Sequence, residues 1–442
     1  MRKLILLFCL CGFLAKAQND STDTDVLFDL SLEELLKLEL VDRTFHLYGY
    51  INSNFQKTFD FPYSEGDDIT IRRSDPAEWS PVKNFHIYGQ GNLHSRISYL
   101  FNLGRADDLL EIRNAWGNFT VREALQFRVG KMYRKFGLYN ERLDQIPTFI
   151  GIEPPEMLDS DHLFLTRTTN FMIHGSFRKP RHELSYALMT DNGENGPAHN
   201  LIPMGWDLRF KSYTKSFIVG TSGYASSLSN TKATSAVALG DGSPSGGILP
   251  WMKGDRFVIV GLFFEKQFGN VLVQSEYYSS RHSAERDPSS TLQVIREAGI
   301  NPVQRKRFLG ENASKSNDDL TESDIVTKSN YNVQTFYVRV GYNVKSSVGQ
   351  FVPYVFLDWM NYPENIANKD FGGDAEAGIA DNGKFFKPSA GVVYRPIPSV
   401  AIKLDGSYHS QHFNGKEVMY PELRLDFSFA FSNTQIEKAL RN

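Results

Sequence analysis

From about residue 44 to residue 431 the apolar positions recur every second residue, not every three or four. The clearest case is the last segment, where Leu423, Leu425, Phe427, Phe429 and Phe431 alternate with Glu422, Arg424, Asp426, Ser428 and Ala430. Period-two alternation places one set of side chains on each face of a strand. Strands of this kind are predicted at 45–54, 82–90, 95–103, 109–121, 125–136, 168–178, 182–190, 205–213, 216–225, 255–267, 270–281, 331–343, 349–360, 385–395, 399–410 and 420–431, which makes sixteen. In segment 109–121 the alternation is imperfect, because Asn114 and Asn118 share a face with Ile112 and Trp116. Counts of fourteen or eighteen therefore stay open.

The connections carry independent information. Even-to-odd links are short, such as Arg122-Glu123-Ala124, Thr214-Lys215 and Phe268-Gly269, while odd-to-even links are mostly long, including 55–81, 137–167, 226–254, 282–330 and 361–384. Short turns at one end and long loops at the other, on strands with one apolar and one polar face, are what an antiparallel barrel spanning a bilayer requires. The predicted fold is all-β: a transmembrane antiparallel β-barrel of about 16 strands preceded by a short N-terminal helix. A soluble sandwich or propeller would lack the two-sided loop pattern. Loop 282–330 is expected to hold a helix over Thr291–Ala298 capped by Ser290.

Residues 1–17 have Arg2 and Lys3, an apolar run Leu4–Leu14 and the small-x-small site Ala15-Lys16-Ala17, the pattern of a secretory signal peptide. Residues 18–43 are expected to be a periplasmic leader whose stretch 31–38 forms a short helix: Ser31 caps it, Glu34 follows three residues on, and Leu32, Leu35, Leu36 and Leu38 share a face. Residues 44–432 form the barrel, and 433–442 a periplasmic tail. The leader is either a plug or docking element, or a helix lying on the barrel rim.

Composition narrows the classes further. The only two cysteines, Cys9 and Cys11, lie in the signal segment, and removing Arg2, Lys3 and Lys16 moves the formal charge from −3 to −6. A mildly acidic chain with no basic stretch gives no reason to expect a nucleic-acid partner. Mean hydropathy is −0.35, because every second wall residue is polar, and after the N-terminus no run is long enough for a spanning helix. The ten histidines include no HExxH spacing, there is no G-x-S-x-G, and no cofactor or metal is expected. His94-Ser95 and His409-Ser410 point to opposite faces of a strand. An enzyme is not expected.

Candidate chemistry lies in the lumen. Alternation assigns Arg96, Arg128, Arg134, Arg178, Arg209, Lys211, Arg339, Lys387, Arg395, Lys403 and Arg424 to the inner face, with Asp207, Glu276, Asp358, Asp405, Glu422 and Asp426 as fewer acidic partners. Loop 137–167 carries Glu141, Asp144, Glu153, Glu156, Asp159 and Asp161, stiffened by Pro147, Pro154 and Pro155, with Phe149, Ile150 and Ile152 able to anchor it to a wall. Folded inward, it would be an acidic constriction facing Arg96, Arg128 and Arg134, and charge of opposite sign across a narrow pore sets ion preference. Pointed outward, its charges would merely be solvated, and the wall charges would pair between strands. Tyr99, Phe101, Trp206, Phe210, Phe336, Tyr342, Trp359 and Tyr394 fall on the lipid-side register, while Tyr48, Tyr50 and Tyr88 point inward.

Residues 109–142, LLEIRNAWGNFTVREALQFRVGKMYRKFGLYNER, resemble the phosphate-selective porin (porin O and P) family, with Val129, Gly130, Lys131, Phe136, Gly137, Glu141 and Arg142 at the matching positions. Weaker echoes are QSEYYSS at 274–280 and SAGVVYRP at 389–396. The resemblance implies a sixteen-stranded, trimeric, general or anion-preferring porin in the outer membrane of a Gram-negative bacterium, and the leader and aromatic strands resemble Bacteroidetes proteins. Its partners would be outer-membrane lipid, small hydrophilic solutes or anions, two further copies of the chain and the outer-membrane assembly machinery. The expected function is passive diffusion of small hydrophilic solutes. The alternatives are a substrate-selective, fatty-acid-type transporter or a non-conducting structural or adhesin barrel.

Overall fold

The structure is a computed structural model, and it describes residues 45–59, 62–65, 68–71, 77–106, 109–158, 163–164, 166–193, 201–229, 249, 251–297, 300, 302–366, 383–413 and 416–433. The expected signal peptide, the leader with its helix and nearly all of the C-terminal tail lie outside these residues, as do Asp159 and Asp161.

The wall strands are β1 (Phe45–Thr58), β2 (Glu78–His94), β3 (Ile97–Ala106), β4 (Leu109–Arg122), β5 (Leu125–Tyr133), β6 (Arg167–Lys179), β7 (His182–Asp191), β8 (Met204–Ser212), β9 (Phe217–Ser229), β10 (Met252–Phe268), β11 (Val271–Arg286), β12 (Lys328–Tyr342, resuming at Val344–Ser346), β13 (Gly349–Asn361), β14 (Lys384–Arg395), β15 (Val400–Phe413) and β16 (Lys416–Ser432). The break in β12 falls at Asn343, whose N–H donates to the Asn270 carbonyl, and both pieces pair with β13. Each strand pairs antiparallel with its chain neighbours, and β1 closes the cylinder by pairing with β2 on one side and β16 on the other (Tyr48 opposite Ser432, Thr58 opposite Glu422). The protein is a closed, sixteen-stranded antiparallel β-barrel. Closure leaves no unpaired edge.

Even-to-odd connections are tight turns. At the opposite end most connections are long, but β3–β4 and β15–β16 are joined by only two residues each, 107–108 and 414–415. Loop 59–77 carries a small hairpin, Pro62–Glu65 with Asp68–Ile71. Loop 287–327 holds α1 (Pro288–Glu297) and α2 (Pro302–Leu309). The first helix starts earlier than the periodicity implied: Asp287, not Ser290, is its cap, accepting the Ser290 N–H at 2.9 Å, and Pro288 fits the first helical position.

The irregularity of β4 has a local cause. Pairing with β3 slips between Asn102–Asn114 and Leu103–Ile112, so that Arg113 is an inserted residue. The phase changes there. Asn114 and Asn118 turn inward and are buried, with Asn118 bonded to Gln126 and His174, while Ile112 faces out. Across the pair, Gly130 has φ +138, and a Cβ there would run into the Ala115 carbonyl.

The outer surface is apolar over most of the wall: Val129, Phe171, Leu188, Leu208, Leu262, Leu357, Leu404 and Phe429 are all exposed. The lumen departs from the expected polar lining on one side. Along β10, outward Val258, Val260 and Leu262 alternate with inward Phe257, Ile259 and Phe263, which are 0–2% exposed. Together with Tyr278, Val333, Tyr337, Phe356 and Met360 on β11–β13, they bury loop residues Phe136, Tyr139, Phe149 and Ile150 and helix residues Val294, Ile295 and Phe308 in one apolar core. At roughly 1.5–3 kcal/mol per buried large side chain, this core holds the β5–β6 loop against the inner wall and packs α1 and α2 onto the same cluster. On the β10–β13 side the lumen is therefore protein interior, not pore.

Candidate functional site

Strand β5 stops at Tyr133, three residues earlier than its pattern suggested, because the chain turns into the lumen. Arg134 roots the turn: it is buried, pairs with Asp191 at 2.6 Å and donates to the Tyr224 hydroxyl at 2.7 Å. Gly137 follows with φ +64, and its Cα lies against the Glu276 carboxylate and the Tyr278 hydroxyl, where a Cβ has no room. Only glycine combines that conformation with that approach.

The loop 134–166 has almost no regular structure, so its buried backbone groups need partners from elsewhere. The wall supplies them in two sets. Wall oxygens accept its N–H groups: Ser222 Oγ takes Gly137 at 2.8 Å, Glu276 takes Leu138 at 2.9 Å and Tyr139 at 3.1 Å, and Asp358 takes Glu156 at 2.7 Å. Wall cations donate to its carbonyls: Arg209 to Gly137 at 2.8 Å, Arg395 to Pro147 at 2.6 Å and Thr148 at 3.1 Å, Lys403 to Ile146 and Gly151, and Arg339 to Glu153 at 3.2 Å. Many inner-face cations read from the sequence as ion-selecting groups are thus hydrogen-bond donors to a loop backbone.

The loop acids find specific partners too. Glu141 pairs with Arg209 at 3.0 Å, and Arg209 also holds Asp207 at 2.5 Å. Glu153 pairs with Lys387 at 2.5 Å and with Arg424, and Glu156 lies 3.9 Å from Lys387. Asp144 is surrounded by Arg113 at 3.1 Å, Arg167 at 3.5 Å and His86 at 3.9 Å, while Tyr88 donates to its carbonyl. The loop therefore reaches from β2 round to β16, and Ile146 packs against the inward tyrosines Tyr48, Tyr50 and Tyr88.

Three assigned pore cations lie elsewhere. Arg96 is in the two-residue turn after β2 and is exposed, so it does not face the loop. Arg178 is 60% exposed at the tight-turn rim, paired with Glu183 and Glu123, and Lys211 is exposed at the same rim over the Tyr213 ring. Arg134 belongs to the loop, not to the wall opposite it. Arg128 does lie on the wall, 4.1 Å above the Trp116 ring. Arg113 was missed because the bulge that brings it to Asp144 has no signature in an alternating pattern.

Two partly exposed groups of charges flank the loop. On the long-loop side are Glu111, Arg113, Arg167, Glu153 and Arg424. On the tight-turn side, Arg128, Lys135, Arg209 and Arg142 meet Glu141 and Glu265. They approach each other where Asp144, Gln145 and Ile146 pass the β2–β4 wall, with Asp144 against Arg113 and His86 and Ile146 against the inward tyrosines.

Burial works against ionisation of Glu141, but Lys135, Arg209 and Arg128 outweigh it and hold the carboxyl at about 2. Asp144 is likewise opposed by burial, yet His86, Arg113 and Arg167 keep it below the usual carboxylate range. Depressed carboxylates favour the docked loop above their unfolded values near 4.5 and 3.8, and lose that effect as pH falls through the folded values. The Glu141 and Asp144 contacts are therefore expected to hold between pH 7 and about pH 4.5, with the Glu141 anchor released only on approach to about 2. Titrating the bath during single-channel recording checks this.

A hydrolase-like chain also exists that the sequence reading did not anticipate. Ser280 Oγ donates to His282 Nε2 at 2.8 Å, and His282 Nδ1 donates to Asp255 at 2.6 Å. All three are 0–4% exposed, and the imidazole is stacked between Phe257 and Tyr331. A serine that no substrate can reach is a structural network, so a fluorophosphonate probe is expected to leave Ser280 unlabelled.

No family model and no curated protein matches the chain. Among solved structures it is similar to the outer-membrane channel DcaP of Acinetobacter baumannii (10% identity, 88% of this chain and 97% of that one, TM-score 0.49). It is also similar to an anion-selective porin from Comamonas acidovorans (9%, 88% and 99%, 0.49) and to OmpF of Salmonella typhi (14%, 88% and 97%, 0.49). At these identities and scores the likeness carries no functional argument, and the barrel stands on its own strand register.

Proposed function

We propose that this protein is an outer-membrane porin: a water-filled channel for small hydrophilic solutes, with a weak preference for anions and its narrowest point at Asp144. The carrying observation is the strand-5 loop laid across a closed barrel, with an acid on the loop set between Arg113 and Arg167 of the wall. An apolar outer surface is stable in lipid and unstable in water, which supports a bilayer location, and the signal peptide read in residues 1–17 supports export to it. Anion preference is supported on the tight-turn side, where Arg128 and Lys135 face the Glu141 carboxylate that Arg209 already pairs. The resemblance of residues 109–142 to phosphate-selective porins supports the same reading, and with it a homotrimer.

Purified protein in planar bilayers is expected to show discrete conductance steps, a reversal potential of anion-preferring sign in a KCl gradient, and a smooth size cutoff for sugars in liposome swelling. Clear cation preference would remove the anion claim. Steps without a smooth size cutoff in liposome swelling would favour the second reading, a substrate-selective transporter. The apolar packing of the β10–β13 side of the lumen is the observation behind that alternative.

A further inference from the structure

On the outer face of β10–β12 the apolar wall gives way to positive charge at one level. Outward Leu262, Val260 and Val258 on β10 are followed by Arg256; on β11 Tyr277 and Ser279 are followed by Arg281; on β12 Phe336 and Gln334 are followed by Asn332, Asn330 and Lys328. The register sets Arg256 opposite Ser283 and Val258 opposite Arg281, so the two arginines are diagonal neighbours. Arg281 in turn faces Asn332, and Ser283 faces Asn330. All six of these polar side chains (Arg256, Arg281, Ser283, Asn330, Asn332 and Lys328) are exposed.

Among the described residues neither guanidinium has a hydrogen-bond or ion-pair partner. Among the described residues the one carboxylate on this face, Glu285, lies 3.4 Å from Lys253 and opposite Lys328 in the register. Like charges at diagonal strand positions repel, and a face carrying Lys253, Arg256, Arg281 and Lys328 against Glu285 alone has charge left over for an anion. Its position supplies the rest of the chemistry. The cations begin where the apolar belt ends, on the long-loop side, at the level where Arg281 stands opposite Val258.

We infer that this face binds the phosphate of a phosphorylated lipid in the leaflet at the long-loop side: the headgroup sits between Arg256 and Arg281, with Ser283, Asn330 and Asn332 as further donors. The acyl chains then lie along Val258, Val260 and Leu262. The inference rests on the reading of the barrel as membrane-spanning.

The test uses the full-length wild type and the R256Q/R281Q variant in detergent, probed by native mass spectrometry with lipid A and with chemically dephosphorylated lipid A. The wild type is expected to retain lipid A, and the variant to lose about thirtyfold in retention, the scale of two surface cations near a lipid headgroup. Dephosphorylated lipid A should bind both proteins equally weakly. Equal retention of lipid A by both proteins, or no discrimination by the wild type between the two lipids, overturns the inference. Heat-modifiable migration and conductance of the variant should match the wild type, since neither arginine faces the lumen. A wild type that neither folds into a heat-modifiable species nor conducts would fail the barrel reading instead, whatever its lipid retention.

Discussion

Replacing Glu276 with alanine is expected to undock the lumen loop while leaving the barrel wall intact. This carboxylate accepts four hydrogen bonds in a fully buried setting: the N–H groups of Leu138 and Tyr139, the Tyr278 hydroxyl at 2.9 Å and the Tyr337 hydroxyl at 2.7 Å. Truncation leaves four donors without their acceptor beside the Phe136–Tyr278 and Tyr139–Tyr337 ring contacts. At ~1–3 kcal/mol for each unsatisfied buried group, even partial relaxation costs several kcal/mol, which is comparable to what docks the first turn of the loop. The backbone ladder of the wall does not involve this carboxylate. Single-channel traces of E276A should therefore be larger and noisier than those of the wild type, and limited proteolysis should cut between residues 138 and 158, with heat-modifiable migration preserved. Glu276→Gln, which keeps one acceptor oxygen, should be intermediate. Traces and proteolysis indistinguishable from wild type would show that the loop is held by its apolar side alone.

The second large effect is expected at Asp144. Neutralising it by D144N removes the acid shared by Arg113 and Arg167 and leaves Glu111, 2.8 Å from Arg113 and 3.0 Å from Arg167, as their remaining carboxylate. The passage then changes by one unit of charge between Arg113 and Arg167. Even with the dielectric constant of water, a unit charge at 4 Å contributes ~1 kcal/mol, or about fivefold in relative permeability. The reversal potential in a KCl gradient should move toward anions by that amount, and less at high salt, where screening is stronger. An unchanged reversal potential would place the selectivity elsewhere, with the Arg128–Lys135–Arg209 group on the tight-turn side as the next candidate.

How much of this was legible in the sequence depended on whether the relevant signal was local. Strand positions were, because a wall strand must alternate whatever its neighbours do, and Tyr420–Phe431 alternates without a break. The inward loop was legible as a long, proline-bearing, acidic segment with apolar residues to bury. Its anchoring was not. Lys403, Arg395 and Arg339 look like pore cations in an alternating strand, and only the path of the loop shows that they donate to backbone carbonyls from more than a hundred residues away. The apolar side of the lumen was hidden for a related reason: β10 is apolar on both faces, so Phe257, Ile259 and Phe263 could not be told from lipid-facing neighbours by period alone. Arg113 escaped because a bulge inserts a residue and shifts the phase. In α1 the start was misjudged because Asp287, directly before Pro288, is the stronger cap.

The central claim is that the loop after β5, not the barrel wall, sets the size of the channel. It is tested most directly by comparing single-channel conductance of the wild type with that of a variant in which residues 140–163 are replaced by a short glycine-serine link, both confirmed as folded by heat-modifiable migration. A channel limited by the loop predicts steps several-fold larger in the variant, with the size cutoff in liposome swelling raised in parallel. Equal conductance and an equal cutoff in the two proteins would contradict it.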